Sequence, residues 1–227
     1  MGAPAIPFET DANPPGSSGE STPPKASRAR RGPGGAKWVI AFMDCEFGGL
    51  DPQLHDITEV AVILTDYRLV ELARAEWKIQ ARAERISPEG AAIGGYNERD
   101  WQGAPKLRQV LTELCNMLPK GALVIPAGQN VRMDVQFLER GFRGCEIPYP
   151  FDYHVIDLAT LFYSWSLVTG EPLSALSLRQ AALTAGLIED SVPHRAMADT
   201  ELTLDTFRHF IGRLAPRDSL ERLGSAD

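Results

Sequence analysis

Residues 38–51 read WVIAFMDCEFGGLD. A ten-residue run rich in β-branched and aromatic side chains, with its acids held back to the end, is the pattern of a strand covered on both faces. Gly48-Gly49 supplies a turn behind it. In an extended strand, residues i and i+2 project to the same face. Asp44 and Glu46 therefore present their carboxylates together, while Cys45 points the other way. Taken alone the pair is weak evidence of chemistry. With 30 Asp and Glu among 227 residues, a D-x-E is expected about once by chance, and a second stands at Asp199-x-Glu201. An exposed strand end is the ordinary reading, so the rest of the chain has to decide.

Working outward, ITEVAVILTD (57–66) reads as a second strand after a Gly/Pro/Asp turn. VELARAEWKI (70–79) alternates in polarity and reads as a third, more exposed strand, so the opening is antiparallel. Leu107, Leu111, Leu114 and Leu118 recur at helical spacing behind Pro105, a residue suited to a first turn. GALVIPAG (121–128) is a short buried strand, followed by a helix over Asp134 to Arg140. HVIDLATLFYSW (154–165) is a strand running into a helix, in which Phe162 and Trp165 read as core. LSALSLRQAALTAG (173–186) is a helix ending at Gly186, a C-cap candidate. A last helix runs from about Arg195 to Leu214. Strands in series, then strands alternating with helices, predict an α/β chain with a mixed sheet and helices packed on it.

Bulk composition narrows the function classes. At 227 residues the chain supports one sizeable core. Apolar residues at 44% and charged residues at 23% are those of a soluble globular protein, and no apolar run has the length of a membrane span. Three cysteines, odd in number and without C-x-x-C spacing, argue for a reducing compartment such as the cytoplasm and against a disulfide framework or a thiolate zinc site. A net charge of −7 disfavours wrapping of duplex DNA. It leaves a metal-dependent enzyme open, because bound cations supply positive charge locally. Residues 1–36, with PPGSSGESTPP and RGPGG, are expected to form a disordered tail. Within it Arg28, Arg30 and Arg31 read as a solvated linker or a contact to nucleic acid or a partner. No secretory h-region is present, and Glu9, Asp11 and Glu20 sit badly with a transit peptide. The expected division is a tail over 1–36, a folded domain over 37–215 and a C-terminal tail over 216–227.

Two further acids fall at telling places. Asp134, in GQNVRMDVQFL (128–138), follows the short buried strand where a helix begins, and Asp199, in HRAMADTELTL (194–204), lies five residues after His194 at the start of the last helix. Four carboxylates from three elements plus one histidine is the inventory of a two-metal phosphodiesterase. Mg²⁺ and Mn²⁺ prefer carboxylate oxygens, and two such ions can stabilise both the attacking and the leaving oxygen of a displacement. A histidine can take a proton from the attacking water. Each piece alone has a bland alternative. Asp134 suits a helix N-terminus, His194 a surface loop, and Asp199 an i, i+4 pair with Arg195.

Together, in this order, Asp44-x-Glu46, Asp134 and His194-x4-Asp199 resemble the DEDDh 3′→5′ exonuclease family, which includes RNase T, oligoribonuclease and the proofreading subunit of bacterial DNA polymerase III. The resemblance spans about residues 38–212. It implies a ribonuclease H-like mixed five-stranded sheet with helices on both faces. It further implies that Asp44 bridges two Mg²⁺ or Mn²⁺ ions, that Glu46 and Asp199 complete one site, and that Asp134 holds the second ion. His194 would activate the water, and nucleoside 5′-monophosphates would leave a 3′ end. DCEFGGLDP and the G-x5-D-x2-F-L spacing at Gly128, Asp134, Phe137 and Leu138 look like oligoribonuclease. HRAMADTELT looks like RNase T. The second motif departs from the frequent H-N-x-x-F-D, reading Gln129-Asn130-Val131-Arg132-Met133-Asp134, and no histidine stands between 90 and 101 where oligoribonuclease carries one.

Candidate substrate contacts are Cys45, Phe47, Gly48, Asn130, Arg132 and Arg195. Phe47 reads as a base wedge or as core packing. Tyr96 and Trp101 read as a stacking surface or a hydrophobic clasp. Arg132 and Arg195 read as phosphate contacts or as partners of the neighbouring acids. Gly48-Gly49 would let the backbone turn close to a terminal nucleotide. Single-stranded RNA or DNA ends are the expected ligands, RNA slightly favoured, with a homodimer as the expected assembly. Two alternatives stand beside this: a proofreading-type subunit tethered to a polymerase through the 1–36 tail or RDSLERLGSAD (217–227), and a silent nucleic-acid-binding module of the same fold.

Overall fold

β1 (Trp38–Phe47) is the middle strand of a five-stranded sheet in the computed structural model, which describes residues 38–192 and 194–214. Both tails expected from the sequence, 1–36 and 216–227, lie outside the described residues, as do residues 37 and 215 of the expected domain. β1 pairs antiparallel with β2 (Ile57–Asp66), which pairs antiparallel with β3 (Glu71–Lys78). On its other side β1 pairs parallel with β4 (Leu123–Gly128), and β4 with the two-residue β5 (Ile156–Asp157). The order is therefore β3-β2-β1-β4-β5, the mixed sheet that the apolar runs and the alternating third strand predict. β3 is the edge, and its alternating exposure is why its sequence alternates.

The period of two in β1 sorts its side chains between two cores. Val39, Ala41, Met43 and Cys45 join Val60 and Val62 beneath α2 (Leu107–Met117) and α3 (Arg132–Gly144). Ile40 and Phe42 join Ile63 on the opposite face beneath α4 (Leu158–Thr169), α5 (Leu178–Ala185) and α6 (Ala196–Leu214). Phe162 and Trp165 are buried in this second core, as expected. Helices thus cover both faces of the sheet. The alternation continues past Phe42, so Asp44 and Glu46 emerge on the α6 face at the C-terminal end of β1. In sheets of this kind, the C-terminal ends of the parallel strands are where ligands bind. Asp134 enters α3 just beyond the C-terminal end of β4, at the same edge.

Four details differ from the sequence reading, the first being that the helix expected over 173–186 begins only at Leu178, behind its N-cap Ser177. α3 begins at Arg132 and runs to Gly144, because the apolar stripe of Phe137, Leu138 and Phe142 continues past Arg140. Pro105 precedes the N-cap Lys106 of α2 and so lies outside its first turn. A short helix, α1 (Pro88–Ile93), was not anticipated; Ser87 caps it by accepting the Gly90 N–H, and Pro88 opens it. Gly186 does end α5 in the left-handed conformation, at φ 71°. The three cysteines are unpaired; Cys45 is buried and the other two are partly so. Among the described residues, no helix is long and apolar enough to cross a membrane.

The Gly-Gly turn after β1 is packed against the chain itself. A Cβ on Gly48 would stand 2.4 Å from the Arg85 carbonyl oxygen, and one on Gly90 would stand 2.3 Å from the Gly48 carbonyl oxygen. Gly48 N–H donates to the Asp56 carbonyl, and Ser87 N–H donates to the Gly48 carbonyl. The close approach that Gly48 permits is to residues 85–90, whereas a Cβ on Gly49 would stand 2.5 Å from the His55 ring. Gly48→Ala forces backbone apart at a buried crossing, so a destabilisation of about 1–3 kcal/mol is expected. Thermal unfolding of the variant reads it; a wild-type midpoint would contradict the crossing.

Candidate active site

Three elements bring the predicted acids together. β1 supplies Asp44 and Glu46, and the first turn of α6 supplies Asp199. One carboxylate oxygen from each lies within 4.8 Å of the others. Glu46 and Asp199 are buried, at 9% and 7% exposure, whereas Asp44 is half-buried. Asp134, 4% exposed, approaches from α3, and its Oδ1 accepts the Cys45 N–H at 2.9 Å. That bond ties the start of α3 to the residue between the two strand acids. Asp134 therefore stands beside the three-acid cluster rather than in it.

The electrostatics are those of carboxyls crowded together out of water. Burial, then repulsion from Asp134, Glu46 and Asp199, holds the Asp44 carboxyl well above its ordinary range. Burial, then Asp199, raises Glu46, and burial raises Asp199. Burial pushes Asp134 up to about 8, against the opposing bonds from Cys45. Asp199 Oδ1 is buried without a hydrogen-bond partner. Converging carboxylates, one with an orphaned oxygen, fit a hard divalent cation. His194 lies at the rim, exposed and in the left-handed region at φ 53°. Its charge and its backbone N–H both favour the Asp199 carboxylate, and its charge also favours Glu46.

These shifts fix a pH dependence. A carboxyl raised on folding holds its proton more tightly in the native state, so it contributes stability fully below its ordinary value, and that contribution is lost as pH rises through the folded value. For Asp134 the window runs from 3.8 to about 8. In EDTA the protein is therefore expected to melt at a lower temperature at pH 8 than at pH 6, while Mn²⁺ stabilises it more at pH 8. Melting curves with and without Mn²⁺ check this, and equal midpoints at both pH values in EDTA would contradict it.

This arrangement can be set against known proteins. Residues 41–207 match the RNase T exonuclease family, a span that includes all four acids and His194. The chain is a member of the DEDDh 3′→5′ exonuclease family. It is 27% identical over 169 residues to an oligoribonuclease of Photobacterium profundum, covering 67% of this chain and 89% of the relative. It is 25% identical over 182 residues to an oligoribonuclease of Pseudomonas entomophila, covering 75% and 93%. The fold is also that of the zinc-bound E. coli exonuclease I–ssDNA complex, with a TM-score of 0.65 at 18% identity over 83% of this chain. The chain spans 42% of that enzyme's length.

The residues flanking the acids of this exonuclease divide between rim and core. Arg132 and Asn130 are exposed at the entrance to α3, with Asn130 in the left-handed region at φ 53°. Phe47 is half-buried and stacks on Phe137 with ring centroids 3.9 Å apart, so it belongs at least partly to the core. The Cys45 thiol is buried in the core on the far face, which withdraws that side chain from the candidate substrate contacts; only its N–H serves the site, through Asp134. Gly48 packs on the Arg85 carbonyl, with its N–H on the Asp56 carbonyl and its C=O accepting from Ser87. Arg195 donates from Nη2 to Glu59 Oε1 at 3.2 Å, so its ion-pair partner is Glu59 and not Asp199. Trp101 is 3% exposed and donates from Nε1 to the Thr58 carbonyl, with the Tyr96 ring 5.2 Å away. The two aromatics form a clasp rather than an open stacking surface. Glu201, from the second D-x-E, pairs with Arg74 away from the cluster.

Two neighbours of the site escaped the sequence reading. Gly94 packs so closely that a Cβ there would stand 2.9 Å from Glu46 Oε2. Glu59 lies directly opposite Glu46 in the β1–β2 register and is fully buried. Its signal was available: it is the one charged residue inside the apolar run ITEVAVIL.

Proposed function

We propose that this exonuclease removes nucleotides one at a time from the 3′ end of single-stranded nucleic acid, RNA in preference to DNA, and releases nucleoside 5′-monophosphates. The observation that carries the reading is the convergence of Asp44, Glu46 and Asp199 within 4.8 Å, with His194 beside them on the loop entering α6. The preference for RNA draws on the two oligoribonuclease relatives, and single-strandedness on the exonuclease I–ssDNA complex. Asp44, Glu46 and Asp199 would hold one divalent cation, with Asp44 and Asp134 holding a second; Mg²⁺ and Mn²⁺ suit these all-oxygen ligands. When bound, such cations neutralise the carboxylates, polarise the scissile phosphate and lower the cost of forming hydroxide and alkoxide.

The chain's own residues do the rest. His194 accepts the proton of the attacking water at a ring nitrogen and returns it to solvent, which its exposed position at the rim allows. Arg132 and Asn130, exposed two and four residues ahead of Asp134, offer a cation and an amide to the phosphates behind the terminal nucleotide. Phe47 presents its free edge beside the last base. Residues 37–215 are proposed as the unit that carries the activity, the cytoplasm as its compartment, and a homodimer as its assembly. Matched single-stranded RNA, single-stranded DNA and dinucleotides, each with Mg²⁺ and with Mn²⁺ and resolved by chain length, test the reading. Stepwise shortening of RNA faster than DNA is expected. DNA shortened faster than RNA would overturn the preference, and no shortening of any substrate would overturn the activity.

A further inference from the structure

We infer that Glu59 and Glu76 are positioning residues that clamp the entry to α6, residues 194–197, against the β2–β3 hairpin and so hold His194 and Asp199 to the β1 acids. Both glutamates stand on the face of the sheet that carries Glu46. Glu59 lies opposite Glu46 on one side and opposite Lys78 on the other, and Glu76 precedes Lys78 by two residues. The Glu59 carboxylate is fully buried and takes the Arg195 guanidinium at 3.2 Å. Glu76 Oε1 accepts the Met197 N–H at 3.3 Å. The hairpin thus grips this entry twice, once through a side chain and once through its backbone. Arg195 is held from a third side by Trp101, whose ring centroid lies 5.5 Å from the guanidinium carbon. Trp101 is itself fixed to the carbonyl of Thr58, the neighbour of Glu59.

The entry needs such a grip. His194 occupies the left-handed region at φ 53°, a conformation that a residue with a Cβ keeps only where its surroundings impose it. A buried carboxylate is retained at a cost, and an unpaired one is strongly unfavourable. Glu59 serves no packing end that a leucine would not serve better, since its strand neighbours Val60, Ala61, Val62 and Ile63 fill the cores without polar atoms. Its placement next to the residue that follows His194 is what distinguishes it.

The inference rests on the exonuclease reading, and its test separates the two. In the full chain with Mg²⁺ and a single-stranded RNA oligonucleotide, Glu59→Gln keeps the shape and removes the charge opposite Arg195. Its kcat is expected to fall about 10-fold to 100-fold with KM within about twofold. In a His194→Ala background, the same change is expected to cost less than in the wild type, because one of the two groups it positions is already gone. Glu76→Ala, at the exposed edge, gives a second variant that removes the Met197 contact and the carboxyl beside Glu59, with Arg195 still facing Glu59. For both variants, hydrogen exchange of the amides at 194–199 should quicken while β1 keeps its wild-type protection. Wild-type kcat in Glu59→Gln, or an equal loss in both backgrounds, would overturn the inference. Unchanged exchange at 194–199 in both variants would overturn it whatever the activity, whereas a wild-type chain without nuclease activity would strike at the exonuclease reading itself.

Discussion

Asp44→Asn is expected to lower nucleotide release at least about a thousandfold, because it removes the carboxylate on which the whole charge arrangement turns. Asp44 is raised by each of Asp134, Glu46 and Asp199, so it lies among the other three acids of the site. Asparagine keeps the volume and the β1 strand, and the substitution leaves both cores untouched. It also relieves repulsion. The metal-free variant is therefore expected to melt no lower than wild type, and at pH 8 higher, since one of four crowded negative charges is gone. The gain from added Mn²⁺ should shrink at the same time. Loss of activity with undiminished metal-free stability is the signature of a functional group kept at a structural cost. Nucleotide release and melting curves in EDTA and in Mn²⁺ measure both halves. Full activity in Asp44→Asn would remove the acids from the chemistry.

His194→Ala is the second large effect, a fall in kcat of about 10²-fold to 10⁴-fold, the range for loss of a positioned general base. The side chain is exposed at the rim, so its removal opens no cavity. Asp44, Glu46 and Asp199 remain in place, so stabilisation by Mn²⁺ should persist close to the wild-type level. The two variants thus fail differently. One loses both the metal response and turnover, and the other loses turnover alone. A His194→Ala enzyme with wild-type kcat would assign the proton transfer to another group. One that loses the Mn²⁺ response as well would make His194 a support for the acids rather than a base.

Much of this was legible in the chain because it follows from periodicity. The ten-residue run at 38–47 has to be a covered strand, and once it is, a period of two sends Asp44 and Glu46 to one face and the Cys45 thiol to the other. Capping chemistry likewise announced Gly186. What escaped is long-range. Nothing local says that Arg195 reaches Glu59, 136 residues away in sequence, in place of the nearer Asp199 one helical turn on. The glycines after Glu46 do allow close approach, Gly48 to residues 85–90 and Gly49 to the His55 ring, partners that no local pattern names. Trp101 was open to two readings, a stacking surface or a clasp, and what decides between them is long-range: its indole N–H reaches the Thr58 carbonyl, so the ring is buried at little cost. Asp134 was placed at the right edge of the sheet, but its bond to the Cys45 N–H depends on how α3 docks, and no spacing encodes that.

Everything above turns on these acids and His194 acting together at a 3′ terminus. A single-stranded RNA labelled at its 5′ end, incubated with the full chain in Mg²⁺ and sampled over time, tests it most directly. The expected result is a ladder of labelled products shortening one nucleotide at a time from the 3′ end, nucleoside 5′-monophosphates as the released species, and no reaction in EDTA. Immediate appearance of a labelled mononucleotide, internal cuts, or a ladder that persists in EDTA would contradict it.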